Sequence, residues 1–199
     1  MRSARSALIA LMLAAAAVAP ATFSTRDAAA SVSIAVTWDS LLQASTFAAM
    51  VTPTNATSVW EAGRIYTYTQ VHVDRAIAGD AGGADSVWVR TMGGIVGSIG
   101  QVVDGEAVLT VGRPSLLFLH AGPAGTLQVT ARGQGQFPLV VDAKKAARLS
   151  RSSAVGGLVL PKRSASSAAP VLAADRVHGR LVDDVARDVA AAWPLVHAK

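Results

Sequence analysis

The sequence predicts an all-β domain built as a small, mostly antiparallel barrel of six to eight strands, with a β-sandwich as the rival arrangement. Three observations carry this prediction. Polar and apolar residues alternate with a period of two from Arg64 to Ala76; a continuous apolar run, Leu116-Leu117-Phe118-Leu119, follows Arg113-Pro114; and glycine-containing turn signals such as Asp104-Gly105 separate the strands at hairpin-like spacing. A short N-terminal helix and a C-terminal amphipathic helix are expected to flank the strands.

The first thirty residues belong to another class of segment. Arg2 and Arg5 precede an apolar run from Ala7 to Ala19, then Pro20, and Ala28-Ala29-Ala30 precedes Ser31. A basic start, an apolar centre and small residues at the end are the marks of a signal peptide cleaved after Ala30. The run is shorter than the about 20 residues a membrane-spanning helix needs. The expected mature protein is exported, periplasmic or extracellular, and carries no transmembrane segment. The 199-residue chain has no cysteine, which excludes disulfides, thiolate metal sites and a lipid-modified cysteine. Loss of residues 1–30 lowers the basic count from 18 to 15 and the acidic count from 13 to 12, so the formal charge falls from +5 to +3. The excess is concentrated between residues 132 and 163, which hold seven basic side chains and one acidic one.

In chain order, Val32 to Val36 is a short β-branched run, and Thr37 is placed to cap a brief helix through Trp38, Asp39, Leu41 and Leu42, with Asp39 favoured in its first turn. Thr46 to Thr57 reads as a strand bent at Pro53, which lacks an amide donor, and Trp60-Glu61-Ala62-Gly63 reads as a turn. In the strand from Arg64 to Ala76, Ile65, Thr67, Thr69, Val71 and Val73 share the core face, leaving Tyr66, Tyr68, Gln70, His72 and Asp74 on the other. Gly79 to Gly83 is a loop, after which Val87 and Val89 alternate with Trp88 and Arg90. A glycine-rich stretch leads to a short strand at Val102-Val103. Beyond the buried run at Leu116, the chain turns at Gly122 to Gly125, returns through Leu127, Val129 and Ala131, and adds Phe137 to Val141.

Residues 31–143 are accordingly the β-barrel domain. Residues 144–175, rich in Ala, Ser, Arg and Lys and nearly without periodicity, are expected to be a flexible linker, apart from Val155 to Leu160, which suits a sheet edge. Residues 176–199 carry the C-terminal helix. Leu181, Val182, Val185, Val189 and Trp193 form its apolar stripe, Arg180, Asp183, Asp184, Arg187 and Asp188 its polar face, and Pro194 is expected to end it. Such a helix is marginal alone and needs the barrel, a partner protein or a membrane surface to cover it; its aspartates argue against an anionic membrane.

Glycine-rich loops cradle phosphate when they open a helix, but here the glycines lead into Val102-Val103 and no lysine stands in a P-loop position. Gly93, Gly94, Gly97 and Gly100 are therefore assigned to chain geometry: positive φ, bulges or close strand approach. Ser98 lacks the glycine two residues earlier that a nucleophile elbow has, position 96 being Val. His72, His120, His178 and His197 lack HxH or HxxxH spacing, so neither a metal nor a cofactor is expected, although His72 and His120 would meet if their strands were neighbours. Asp104 and Glu106 share a face of an extended segment, as paired acid–base carboxylates do, yet the turn explains Asp104 and leaves Glu106 an ordinary polar position. Arg132, Lys144, Lys145, Arg148, Arg151, Lys162 and Arg163 suit attachment to an anionic polymer, but they lack interleaved aromatics and no nucleic acid is expected outside the cell.

The remaining group is Tyr66, Tyr68, Trp88 and Arg90. Aromatic and Arg side chains turned outward on a strand face are the usual material of a binding surface. Cross-strand aromatic pairs that simply stabilise the sheet are the competing explanation.

At Trp60-Glu-Ala-Gly63-Arg-Ile-Tyr-Thr67, Val87-Trp-Val-Arg-Thr-Met-Gly-Gly-Ile-Val-Gly97 and Arg113-Pro-Ser-Leu-Leu-Phe-Leu119, the chain resembles a group of exported proteins from high-GC bacteria with no established function. The resemblance covers residues 31 to 141. It implies export and a shared small β-barrel-like fold, and it transfers no catalytic residue, cofactor or partner. The expected function is that of an exported non-enzymatic β-domain binding a protein or a cell-envelope component. The alternative is a secreted hydrolase in which Ser98 works with His72 or His120 and an aspartate.

Overall fold

The computed structural model describes residues 32–161 and 169–198. The expected signal peptide and the basic pair Lys162 and Arg163 lie outside the described residues. Strand β1 (Val32–Ile34) leads into helix α1 (Trp38–Gln43), where the Thr37 hydroxyl accepts the Ser40 amide at 3.2 Å and Asp39 occupies the first turn. Strands β2 (Phe47–Glu61) and β3 (Arg64–Gly79) then form a long antiparallel hairpin, with an irregularity in register between Pro53 and Asn55. Proline offers no ladder donor there, and Thr54 is left out of the pairing; two further register shifts, between Ala48 and Ala49 and between Met50 and Val51, involve no proline.

Strand β4 (Ser86–Met92) continues the antiparallel sheet from β3. The hairpin of β5 (Gly94–Val96) and β6 (Ile99–Gln101) follows, then β7 (Ser115–Ala121) and β8 (Leu127–Val129). Around the barrel the order is β2-β3-β4-β8-β7 and back to β2, antiparallel except where β4 meets β8 at Val89 and Leu127. This closed barrel is the small barrel the sequence predicts, with five strands in its wall where six to eight are expected and the further strands outside it. The strand expected at Val102-Val103 lies slightly earlier, as β6, and Val102 is left 92% exposed.

Strand β9 (Gln136–Val141) pairs with β7, and β10 (Ala147–Leu149) pairs with β9 outside the barrel. Strand β11 (Gly157–Val159) runs parallel to β1, and a short helix, α2 (Ala173–Val177), precedes α3 (Val182–His197). The stretch 144–175, expected to be a linker, is thus part of the fold over its described residues. Leu149 and Ala173 are fully buried, Ser152 is buried, and the Leu149 amide donates to Arg180 O while the Gly179 amide donates to Leu149 O. Three-residue strands are too short to display a period, and part of what holds this stretch is distant in sequence: β1 for β11, and the Gly179–Arg180 backbone for Leu149.

One sheet separates two apolar cores. Inside the barrel lie Phe47, Ala49 and Val51 of β2, Val71 of β3, Val89 of β4, and Leu117 and Leu119 of β7. Outside it, Ala48, Met50, Leu116 and Phe118 pack against Trp38, Leu41 and Leu42 of α1 and Val185 and Val189 of α3. Phe118 meets Trp38 and Phe137 edge-on, each at 6.1 Å between ring centroids. The alternation in β7 explains why its run is apolar without a polar face. The surface that covers α3 is therefore this outer core. The helix also continues through Pro194 to His197 instead of ending before it. Proline removes only one amide donor near the terminus, and the His197 ring stacks on Trp193 at 4.5 Å and bonds Ser45 O at 3.1 Å, which holds the last turn in place.

Candidate functional site

Strand alternation turns Tyr66, Tyr68, Trp88 and Arg90 to the outer face of β3 and β4, where Tyr68 stands opposite Arg90 and Gln70 opposite Trp88. Ile65, Thr69 and Val71 are fully buried on the inner face. The four outward residues do not behave alike. Arg90 is only 8% exposed: its guanidinium lies 3.4 Å above the Tyr66 ring centroid, its Nε donates to Tyr68 Oη at 3.1 Å, and its Nη2 donates to Glu61 Oε1 at 2.8 Å. Tyr68 Oη closes the triangle by donating to Glu61 Oε2 at 2.7 Å. Trp88 remains 41% exposed on the same face.

The electrostatics follow from these contacts. The Tyr68 hydroxyl, and after it Arg90, hold the Glu61 carboxyl below its ordinary range. The bond to Glu61, helped by burial, raises the Tyr68 phenol. Burial works against the Arg90 charge, but the bonds to Tyr68 and Glu61 prevail and its pKa is raised. In the sequence Glu61 reads only as part of a turn. It faces Arg64 across the hairpin, on the face of Tyr66 and Tyr68, so register gives its side but not its reach to Tyr68.

Closure of the barrel adds a second part to this face. Gln128 of β8 stands opposite His120 of β7, and both line a concave site of about 350 Å³ with Tyr66, Arg90, Glu106 and Arg132. His120 Nδ1 lies 3.2 Å from Thr130 Oγ1. Ala131 and Arg132 both adopt left-handed backbone conformations, with φ of 54° and 56°, where the chain leaves β8. That conformation is costly for residues other than glycine, and here it delivers Arg132 to the rim, with its Nε 3.9 Å from Glu106 Oε2. Glu106 is not the ordinary polar position it resembles in the sequence. It is 8% exposed, burial raises its pKa, and the amides of Ala107 and Met92 and the Arg132 charge oppose that rise. Asp104, its neighbour in sequence, is exposed at the turn.

Of the four segment glycines, Gly94 shows closest packing: a Cβ there would collide with the Thr67 and Ser58 hydroxyls, and its φ is 135°. Gly97 and Ser98 form the two-residue turn between β5 and β6, with Gly97 at φ 61°. Gly93 has φ 94° and Gly100 keeps a negative φ. Ser98 is exposed at this turn and bonds to no histidine among the described residues. His72 is exposed on β3, whereas His120 belongs to the concave site. Among the described residues, no group of three or more His, Asp or Glu side chains is placed to hold a metal.

The basic residues are dispersed over separate contacts. Arg148 pairs with Asp142 at 2.7 Å and donates to Gly179 O at 2.9 Å, Arg132 reaches Glu106, and Lys144, Lys145 and Arg151 are exposed. Among the described residues, no helix is long and apolar enough to cross a membrane. Comparison of the chain with known protein families, with curated proteins and with solved structures gives no match in any of the three.

Proposed function

We propose that the protein is an exported binding module that presents the outer face of β3 and β4, with the concave site beside it, to a protein or a component of the cell envelope. The observation that carries this reading is the locked Arg90 cluster. A charged side chain held by Tyr66, Tyr68 and Glu61 has little conformational freedom left to lose on binding, and the exposed Trp88 offers a rigid apolar surface next to it.

The strand order supports the same face. Its circular connectivity, with the third and fifth barrel strands parallel, is that of OB-type Greek-key barrels, which bind oligonucleotides and oligosaccharides on the face of their second and third strands. Those strands are β3 and β4 here. The likeness is one of fold and transfers no activity. A hydrolase would need Ser98 within hydrogen-bond reach of a base, and the exposed hairpin turn that carries Ser98 lends that alternative no support.

Immobilised protein is expected to retain a specific component from envelope extracts or isolated cell-wall polymers. Trp88→Ala, at an exposed position, is expected to weaken that binding by about tenfold or more without altering the fold. Specific retention by neither protein, or equal retention by both, would overturn the reading.

A further inference from the structure

The β5–β6 hairpin folds back over one end of the barrel. Its start is fixed there by the Gly93 amide, which donates to Ile65 O at 2.8 Å, and by the Thr67 hydroxyl, which donates to Gly93 O at 2.7 Å. Beneath the hairpin is a bay of about 450 Å³, within the size range of small-molecule sites. Its lining is mainly apolar, and Ile95, Val102 and Val108 at the rim are 71%, 92% and 62% exposed. An apolar rim around a concavity marks a place where apolar matter is received.

Two polar groups in that lining bear on what the bay would take: a hydroxyl without a partner and a buried carboxylate. Thr69, at the barrel side of the bay, is fully buried, and its Oγ1 has no partner among the described residues. Glu106 forms part of the wall shared with the concave site, and Arg132 approaches it from that other side. A carboxylate accepts but does not donate, so the head group that suits this wall is a donor, neutral or cationic, and an anionic head is repelled. Other polar groups of the bay are already engaged: Gln101 Oε1 accepts the Ile65 amide at 2.7 Å.

We propose that this bay is a second binding site, taking a small amphiphile whose aliphatic body lies against Ile95, Val102, Val108 and Leu109 and whose alcohol or amine head donates to Glu106. The bay shares Glu106 with the concave site beside the β3–β4 face but opens on the other side of that wall, and Trp88 is not part of its lining.

N-phenyl-1-naphthylamine, a neutral apolar fluorophore, tests it on the purified protein. Its emission is expected to rise saturably. Decylamine and decanol are expected to displace it about tenfold more effectively than decanoate, the effect of one charge-assisted hydrogen bond against one repulsion. Glu106→Gln is expected to bring the three within about threefold of one another. Val108 is exposed, and only its backbone is bonded to Gln136, so Val108→Asp tests the rim without disturbing the core. That variant is expected to weaken fluorophore binding about tenfold while its far-UV spectrum and its Trp88-dependent binding stay unchanged. Absence of saturable binding, wild-type affinity in Val108→Asp, or decanoate displacing as well as decylamine would each overturn the proposal. If Glu106→Gln does not fold, the Val108→Asp result and the ranking of the three displacers decide it.

Discussion

Arg90 and Glu106 are each 8% exposed, and what distinguishes them is the company each charge keeps. Arg90 has a carboxylate at 2.8 Å and a phenol at 3.1 Å, and its partner Glu61 is held below the ordinary value of 4.5, by the Tyr68 bond first and then by Arg90. Glu106 has two backbone amides and a guanidinium 3.9 Å away, and burial prevails, lifting it above 4.5. Linkage gives the two carboxyls opposite signs. Glu61, depressed on folding, contributes stability that is present above pH 4.5 and lost as pH falls through its folded pKa. Glu106, raised on folding, contributes stability that is present below pH 4.5 and lost as pH rises through its folded pKa. Glu61→Gln is therefore expected to reduce the loss of stability on the acid side, and Glu106→Gln the loss above pH 4.5. Urea unfolding midpoints across that range check both. Variants whose pH profiles superimpose on the wild type would refute the assignment.

Elements make different demands on their residues, and the β5–β6 hairpin shows two of them within four positions. Gly94 is required by space as well as by backbone, because a Cβ would meet Thr67 and Ser58 on the neighbouring strands. Gly97 is required only by backbone: its φ is 61° and nothing lies near its missing Cβ. Gly94→Ala is expected to cost about 1–3 kcal/mol. Gly97→Asn, which tolerates the left-handed region, is expected to cost about 1 kcal/mol or less. Thermal unfolding of the two variants measures the difference, and equal costs would contradict the packing argument. The same contrast explains what could be read in advance. The long strand β3 and the seven-residue β4 show their period, so their inner and outer faces, and with them Tyr66 and Tyr68 on β3 and Trp88 and Arg90 on β4, were legible. Strand β10 was not, because three residues show no period, whereas β11 lies within the Val155 to Leu160 stretch that suits a sheet edge but its partner β1, far away in the chain, could not be named. For a similar reason His120, Gln128 and Arg132 could not be joined to Arg90 from sequence. They reach it only through the parallel closure of β4 on β8, a single pairing with no local signature.

For the whole molecule the decisive feature is that the two cores share strands. In β7, Leu117 and Leu119 fill the barrel while Leu116 and Phe118 carry the helices, and in β2 the residues from Phe47 to Val51 alternate in the same way. Neither core can be lost while the other keeps its wall. Helix α3, joined to the barrel side also by the Ser45–His197 contact, should therefore not unfold ahead of the barrel. Tryptophans report on both regions: Trp38 and Trp193 belong to the helical layer, and Trp88 lies on the barrel face. Urea unfolding followed by tryptophan fluorescence and by far-UV circular dichroism is expected to give coincident curves. Val189→Ala, in the helical core, is expected to cost about 1.5–3 kcal/mol, and Leu117→Ala, in the barrel, about 2–5 kcal/mol. Each should move both curves by the same amount. A Val189→Ala variant whose helix signal is lost at lower urea while the barrel transition stays in place would show two independent units, and the shared-wall account would then fail.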